Sequence, residues 1–134
     1  MKGANMANNL TYKDFALDEL TYMSRAFNAG LSYNAMVAQA QRAVECLLKH
    51  VISTRMFDNT SEVMRSHNLR TIYEYIERMG IDLSQIRTEV MLLNNYYTHT
   101  RYPGREAFMA DATDIKEAVG AAQRVGTFIM QNYG

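Results

Sequence analysis

The sequence predicts an all-α fold, an antiparallel up-and-down four-helix bundle with a fifth helix. One proline and seven glycines occur in 134 residues and 48% of residues are hydrophobic, which argues against disorder and against a turn-rich β-fold. Apolar residues recur at helical spacing, and no stretch alternates as a half-buried strand does. We expect a flexible N-terminus over residues 1–10 and a single domain over residues 11–134.

The first two helices are predicted from their ends. Thr11 followed by Asp14 has the spacing of a capping box, and Gly30 suits a C-terminal stop. The second helix is predicted from about Tyr33 to Thr54, with Ser32 as its cap. Its apolar stripe is formed by Val37, Ala40, Val44, Leu47, Leu48 and Val51. We expect the opposite face to be solvated or to contact a second subunit. That face is formed by Gln39, Arg42, Cys46 and Lys49.

Three further helices follow a break over residues 55–66. The third is predicted from about His67 to Met79, with Gly80 as its stop. The fourth starts after a cap at Asp82 or Ser84 and ends where Pro103 excludes helix from the preceding residue.

The last helix is predicted near Asp111 to Gln131. It contains Gly120 and Gly126, each of which costs about 1 kcal/mol of helix propensity relative to alanine. We interpret both glycines as sites where another helix approaches closely.

The overall charge and the cysteine count exclude several classes of protein. Fourteen basic and fourteen acidic residues cancel, so contact with nucleic acid must come from a local patch. Cys46 is the only cysteine and no apolar run has the length of a membrane span, so we expect a cytoplasmic protein without membrane contact. The three histidines lack the spacing of metal ligands, and no cofactor motif occurs.

The end of the fourth helix carries the main candidate site. His99, Arg101 and Tyr102 cluster before Pro103, where a guanidinium can bind phosphate and an aromatic ring can stack on a base. A structural interpretation stays open, in which Arg101 caps helix carbonyls and Tyr102 packs under the proline turn.

His67 is the fourth candidate, because it opens the third helix. As an N-terminal cap it would accept backbone N–H groups, and this is the interpretation we favour. Alternatively, His67 and the helix N-terminus receive an anion together, with Arg65 and Arg70 nearby.

Three stretches in this order resemble the HEPN family (higher eukaryotes and prokaryotes nucleotide-binding). Residues 38–49, AQAQRAVECLLK, are similar to the family's alanine- and glutamine-rich helix. Residues 66–69, SHNL, match the element that opens its third helix, and residues 97–104, YTHTRYPG, resemble the end of its fourth. The match covers nearly the whole chain and is of the "RYP" type.

The resemblance implies a helical bundle, commonly a homodimer, that often accompanies a nucleotidyltransferase in toxin–antitoxin systems. Many family members are metal-independent ribonucleases with an Arg-x4–6-His motif, and here no histidine follows Arg87 or Arg101 at that distance. We therefore favour a module that binds a nucleotide or RNA end through Arg101, Tyr102, His99 and His67. The alternatives are an atypical ribonuclease that uses His99 and Arg101, and a dimeric adaptor for protein contact.

Overall fold

The computed structural model describes residues 10–30, 32–55, 61–101 and 109–134, with side chains throughout except at positions 61 and 97–101. All regular structure in these ranges is helical, which confirms the all-α prediction. The elements are α1 (Tyr12–Ala29), α2 (Tyr33–Arg55), α3 (Ser61–Arg65), α4 (Leu69–Arg78), a 3₁₀ turn (Ser84–Ile86), α5 (Arg87–Arg101) and α6 (Ala112–Tyr133). None of these helices is both long enough and apolar enough to cross a bilayer.

The four long helices α1, α2, α5 and α6 alternate in direction along the chain. Hydrogen bonds at both ends show that α2 and α6 run parallel, while α5 and α1 run antiparallel to α6. The contacts that fix these directions are Asn34–Ala110 and His50–Tyr133 for α2 with α6, Tyr96–Asp114 and Glu89–Arg124 for α5 with α6, and Ser24–Gln123 for α1 with α6, with Leu20 beside Gly126.

The segment between α2 and α5 differs from the prediction. A five-residue helix, α3, lies in the region predicted as a break. The next helix begins at Leu69, and its N-cap is Asn68, whose side-chain oxygen accepts the Thr71 N–H at 2.9 Å. The prediction that His67 caps this helix is therefore wrong, because Asn68 has the shorter side chain that returns to the helix backbone.

Helix α2 is the centre of the core rather than a two-faced surface helix. Cys46 and Lys49, predicted to be on an exposed face, are 8% and 4% exposed, because α1, α4, α5 and α6 all contact α2. Arg42 does stay exposed. His50 is also buried, with its Nε2 2.9 Å from the Tyr133 carbonyl oxygen.

Both predicted ends of α1 are confirmed. Thr11 and Asp14 form a reciprocal capping box, and Gly30 ends α1 in the left-handed region at φ 71°. Asp111 and Asp114 form a second capping box at the start of α6.

One of the two predicted glycine contacts is present. A Cβ on Gly126 would lie 3.0 Å from Leu20 Cδ1 of α1, which confirms close helix packing there. At Gly120 the nearest atom is the guanidinium of Arg124 on the same helix, so the prediction of a close helix approach is wrong for Gly120.

Candidate functional site

A cleft of about 390 Å³ lies between α1 and α2 and is closed on one side by the segment before α4. On both helices the lining residues recur at intervals of three or four and so lie on one face. We call this the α1–α2 cleft; it is lined by Tyr12, Phe15, Glu19, Gln41, Arg42, Glu45, Cys46 and His67.

An ion pair between the two helices lies at the mouth of the α1–α2 cleft. Arg42 Nε is 3.4 Å from Glu19 Oε2; the Arg42 side chain is 61% exposed and that of Glu19 is 17% exposed. Burial raises the pKa of the Glu19 carboxyl and Arg42 opposes that rise, while neighbouring Asp18 adds to it. Arg42 therefore both neutralises Glu19 and presents a cation to solvent.

A second charged group joins α2 to the segment before α4. One oxygen of Glu45 contacts the Lys49 amine at 2.8 Å and His67 Nδ1 at 3.0 Å. Lys49 is buried, whereas the His67 side chain is 69% exposed. An ionised carboxylate only accepts hydrogen bonds, so Nδ1 carries the proton, and in the neutral imidazole Nε2 is then free to accept one.

The floor of the cleft is uncharged. Gln41 is 4% exposed, and its Nε2 donates to the Leu93 carbonyl of α5. Its Oε1 is buried without a partner among the described residues. Desolvation, reinforced by Glu45 and Glu19, raises the pKa of the Cys46 thiol to about 11, so this thiol is protonated at neutral pH.

Of the predicted site residues, the structure places His67 at the α1–α2 cleft. The side chains of His99 and Arg101, and the whole of Tyr102, lie outside the described residues. Arg101 is the last residue of α5, eight residues beyond Leu93, which corresponds to about 12 Å along the helix axis. Its backbone therefore lies toward the end of the bundle where α2 and α6 begin.

Sequence reasoning missed Tyr12, Phe15, Gln41 and Glu45 as site residues. The sequence placed Arg42 on a polar face of its helix. This pattern could have identified Arg42 as a site residue, but it gives no indication of the other four. Nothing in the sequence shows that the amide nitrogen of Gln41 donates a hydrogen bond to a carbonyl of α5, because this bond depends on how α5 packs on α2.

A second groove, of about 430 Å³, lies between α5 and α6 and serves as a comparison. Arg124 Nε is 3.0 Å from Glu89 Oε2, and the two side chains are 61% and 17% exposed. Glu89 Oε1 is buried and has no partner in the described ranges. We call this the α5–α6 groove; Gly120 and Gln123 form part of its wall.

The described side chains include no group of three or more histidine, cysteine or acidic residues placed to hold a metal ion. The α1–α2 cleft instead combines a few placed polar groups with aromatic side chains of α1.

A model of a known protein family matches nearly the whole chain. The model of the HEPN domain matches residues 11–133. The chain belongs to the HEPN family. Searches among curated proteins and among solved structures gave no match. Assignment to the "RYP" type stays a prediction, since it depends on residues 101–104.

Proposed function

We propose that this protein is a HEPN module that binds a nucleotide or an RNA end, and that the α1–α2 cleft is part of its ligand site. The observation that carries the proposal is His67. Its imidazole is exposed at the mouth of the cleft and is held by a hydrogen bond to Glu45, which is itself fixed by buried Lys49. Such a side chain contacts a ligand with little loss of conformational freedom.

Arg101, Tyr102 and His99 are proposed as the phosphate-binding and stacking part of the same function. The backbone of His99 and Arg101 lies in the last turn of α5, toward the end of the bundle where α2 and α6 begin. A homodimer, and a nucleotidyltransferase partner in a toxin–antitoxin pair, are part of this proposal because members of the family commonly have them.

A thermal-shift screen against mono-, di- and trinucleotides tests the proposal. A ligand at 100 times its Kd stabilises the protein by about 2.7 kcal/mol, which raises the Tm of a domain of this size by roughly 3–6 °C. We expect Arg101→Ala and His67→Ala to reduce the shift. Arg78→Ala, a matched arginine in the last turn of α4, should leave the shift unchanged. If no nucleotide shifts the wild-type protein, the proposal fails and the adaptor function gains support.

A metal-independent ribonuclease is the second candidate, favoured by the His67–Glu45 pair. An imidazole oriented by a carboxylate is suited to move a proton. Cleavage of RNA in the presence of a chelator, lost in His67→Ala or in His99→Ala, would establish this activity. Equal cleavage by the wild type and both variants would show that these two histidines do not catalyse it.

A further inference from the structure

We propose that the α1–α2 cleft is a base subsite that takes a heterocycle with an exocyclic amino group, such as adenine, in contact with Gln41. The inference rests on the proposed nucleotide-binding function and specifies how the ligand is held. Gln41, the two aromatic rings of α1 and Arg42 carry the argument.

The unpaired oxygen of Gln41 sets the hydrogen-bonding requirement. The Leu93 carbonyl can only accept, so the amide nitrogen must face it and the oxygen must point elsewhere. A buried acceptor without a donor is unfavourable, and a ligand N–H that meets it after a small shift of the Gln41 side chain toward the cleft relieves that cost. An amino group on a base is such a donor, whereas a phosphate is not.

The walls of the cleft suit a flat ring. Tyr12 and Phe15 are three residues apart on one face of α1, and the Phe15 side chain is exposed although it is apolar. Aromatic side chains stack on any base. The volume of about 390 Å³ lies at the lower end of the range of small-molecule sites, about 300–1,000 Å³.

The charges of the cleft separate the base from the phosphate. Glu19 and Glu45 are each already paired with a cation, and the floor of Gln41 and Cys46 is neutral, so the interior does not favour an anion. The guanidinium of Arg42 is at the mouth with its Nε toward Glu19, which leaves its terminal nitrogens available for a phosphate oxygen. A nucleotide therefore fits with its base inside and its phosphate outside.

The test compares ligands that differ by one group, measured by calorimetry. Adenosine should bind at least roughly ten-fold more tightly than inosine, and AMP more tightly than IMP by a similar factor, because inosine has a carbonyl where adenosine has an amino group. Inorganic phosphate alone should bind far more weakly than AMP.

Two matched pairs of variants locate the site. Phe15→Ala should weaken adenosine and AMP binding roughly ten-fold, and Tyr22→Ala, an equally exposed ring on α1 outside the cleft, should not. Arg42→Ala should weaken AMP but not adenosine. Arg124→Ala removes an arginine of the same exposure and the same pairing and should change neither affinity.

Gln41→Met should remove the preference for adenosine over inosine. The circular dichroism spectrum of this variant reports whether it folds.

The outcomes separate this inference from the proposed function. Binding of AMP that is lowered by Arg101→Ala but unchanged by Phe15→Ala and Arg42→Ala overturns the base subsite and leaves nucleotide binding in place. Equal affinity for adenosine and inosine overturns the role of Gln41. If neither nucleosides nor nucleotides bind, both the subsite and the proposed function fail.

Discussion

The α1–α2 cleft and the α5–α6 groove share a motif but differ in their surroundings. Each has an arginine, 61% exposed, paired with a glutamate, 17% exposed, on a neighbouring helix. Each also has a buried oxygen without a partner among the described residues, from Gln41 in the cleft and Glu89 in the groove. The pairs alone therefore do not distinguish a ligand site.

The unpaired oxygens of the cleft and the groove belong to different chemical groups. In the α5–α6 groove it is the second oxygen of a carboxylate that Arg124 already neutralises. In the α1–α2 cleft it belongs to a neutral amide whose nitrogen is engaged, beside Tyr12 and Phe15. In the proposed base subsite the neutral acceptor selects a ligand by hydrogen bonding, whereas a paired carboxylate chiefly joins two helices.

The largest effect is expected from removing the two glutamates that hold cations. Glu45→Ala should lower the free energy of unfolding by about 3 kcal/mol, because Lys49 would be left as a buried charge without its partner. Glu89→Ala should cost at most about 1 kcal/mol, because Arg124 is exposed and water replaces its partner. Urea denaturation measures both values. Equal losses would contradict the contrast between cleft and groove.

The second prediction concerns thiol reactivity in the two places. Because its pKa is about 11 rather than 9.0, Cys46 has about 100-fold less thiolate at pH 8 than an ordinary cysteine. It should react with a chromogenic disulfide at least that much more slowly than a cysteine introduced in the groove as Gln123→Cys in a Cys46→Ser background. In denaturing urea, where both thiols are solvated, the rates should be equal. A native Cys46 that reacts as fast as the introduced thiol would show that the cleft floor is not desolvated.

Two glycines of α6 test how closely α1 packs on that helix. Gly126→Ala should lower stability by about 1 kcal/mol, because its Cβ would lie 3.0 Å from Leu20 and overpacking exceeds the gain in helix propensity. Gly120→Ala should raise stability by about 0.5–1 kcal/mol, because its Cβ meets only the mobile end of Arg124. Opposite changes in Tm would confirm this; a gain at both positions would mean that Leu20 moves aside freely.

The smallest effect is confined to alkaline pH and to the α5–α6 side. Burial, with Asp114 and Glu117 nearby, raises the pKa of Tyr96 to about 12. The unfolded chain therefore loses this proton first, and the contribution of Tyr96 to stability is present below about pH 10 and is lost as pH rises toward 12. Tyr96→Phe should make the pH dependence shallower over this window, as measured by urea denaturation. An unchanged slope would contradict the assignment.

Local rules predicted the helices because each rule depends on neighbouring residues. Thr11 with Asp14 and Gly30 with its left-handed backbone are complete within a few positions. The errors lie where distant chain segments decide the outcome. Cys46 and Lys49 carry the helical spacing of a surface face but are buried by helices that come before and after α2 in the chain.

The site could be predicted only in part for the same reason. His67 was identified from its motif, but its partner Glu45 is 22 residues away and the contact needs the path of α3. The unpaired side-chain oxygen of Gln41 could not be predicted as an acceptor. Its orientation is set by the hydrogen bond from the amide nitrogen to a carbonyl 52 residues away. Predictions for His99, Arg101 and Tyr102 stay predictions.

The amide of Gln41 also connects the cleft to a different part of the bundle. Hydrogen bonds in a chain polarise one another, so a donor on Oε1 makes Nε2 a stronger donor to the Leu93 carbonyl. Ligand binding in the cleft would then strengthen the packing of α5 on α2. Any displacement of α5 would weaken ligand binding by the same free energy. Since α5 ends at Arg101, one amide would make the two parts of the proposed nucleotide site cooperative.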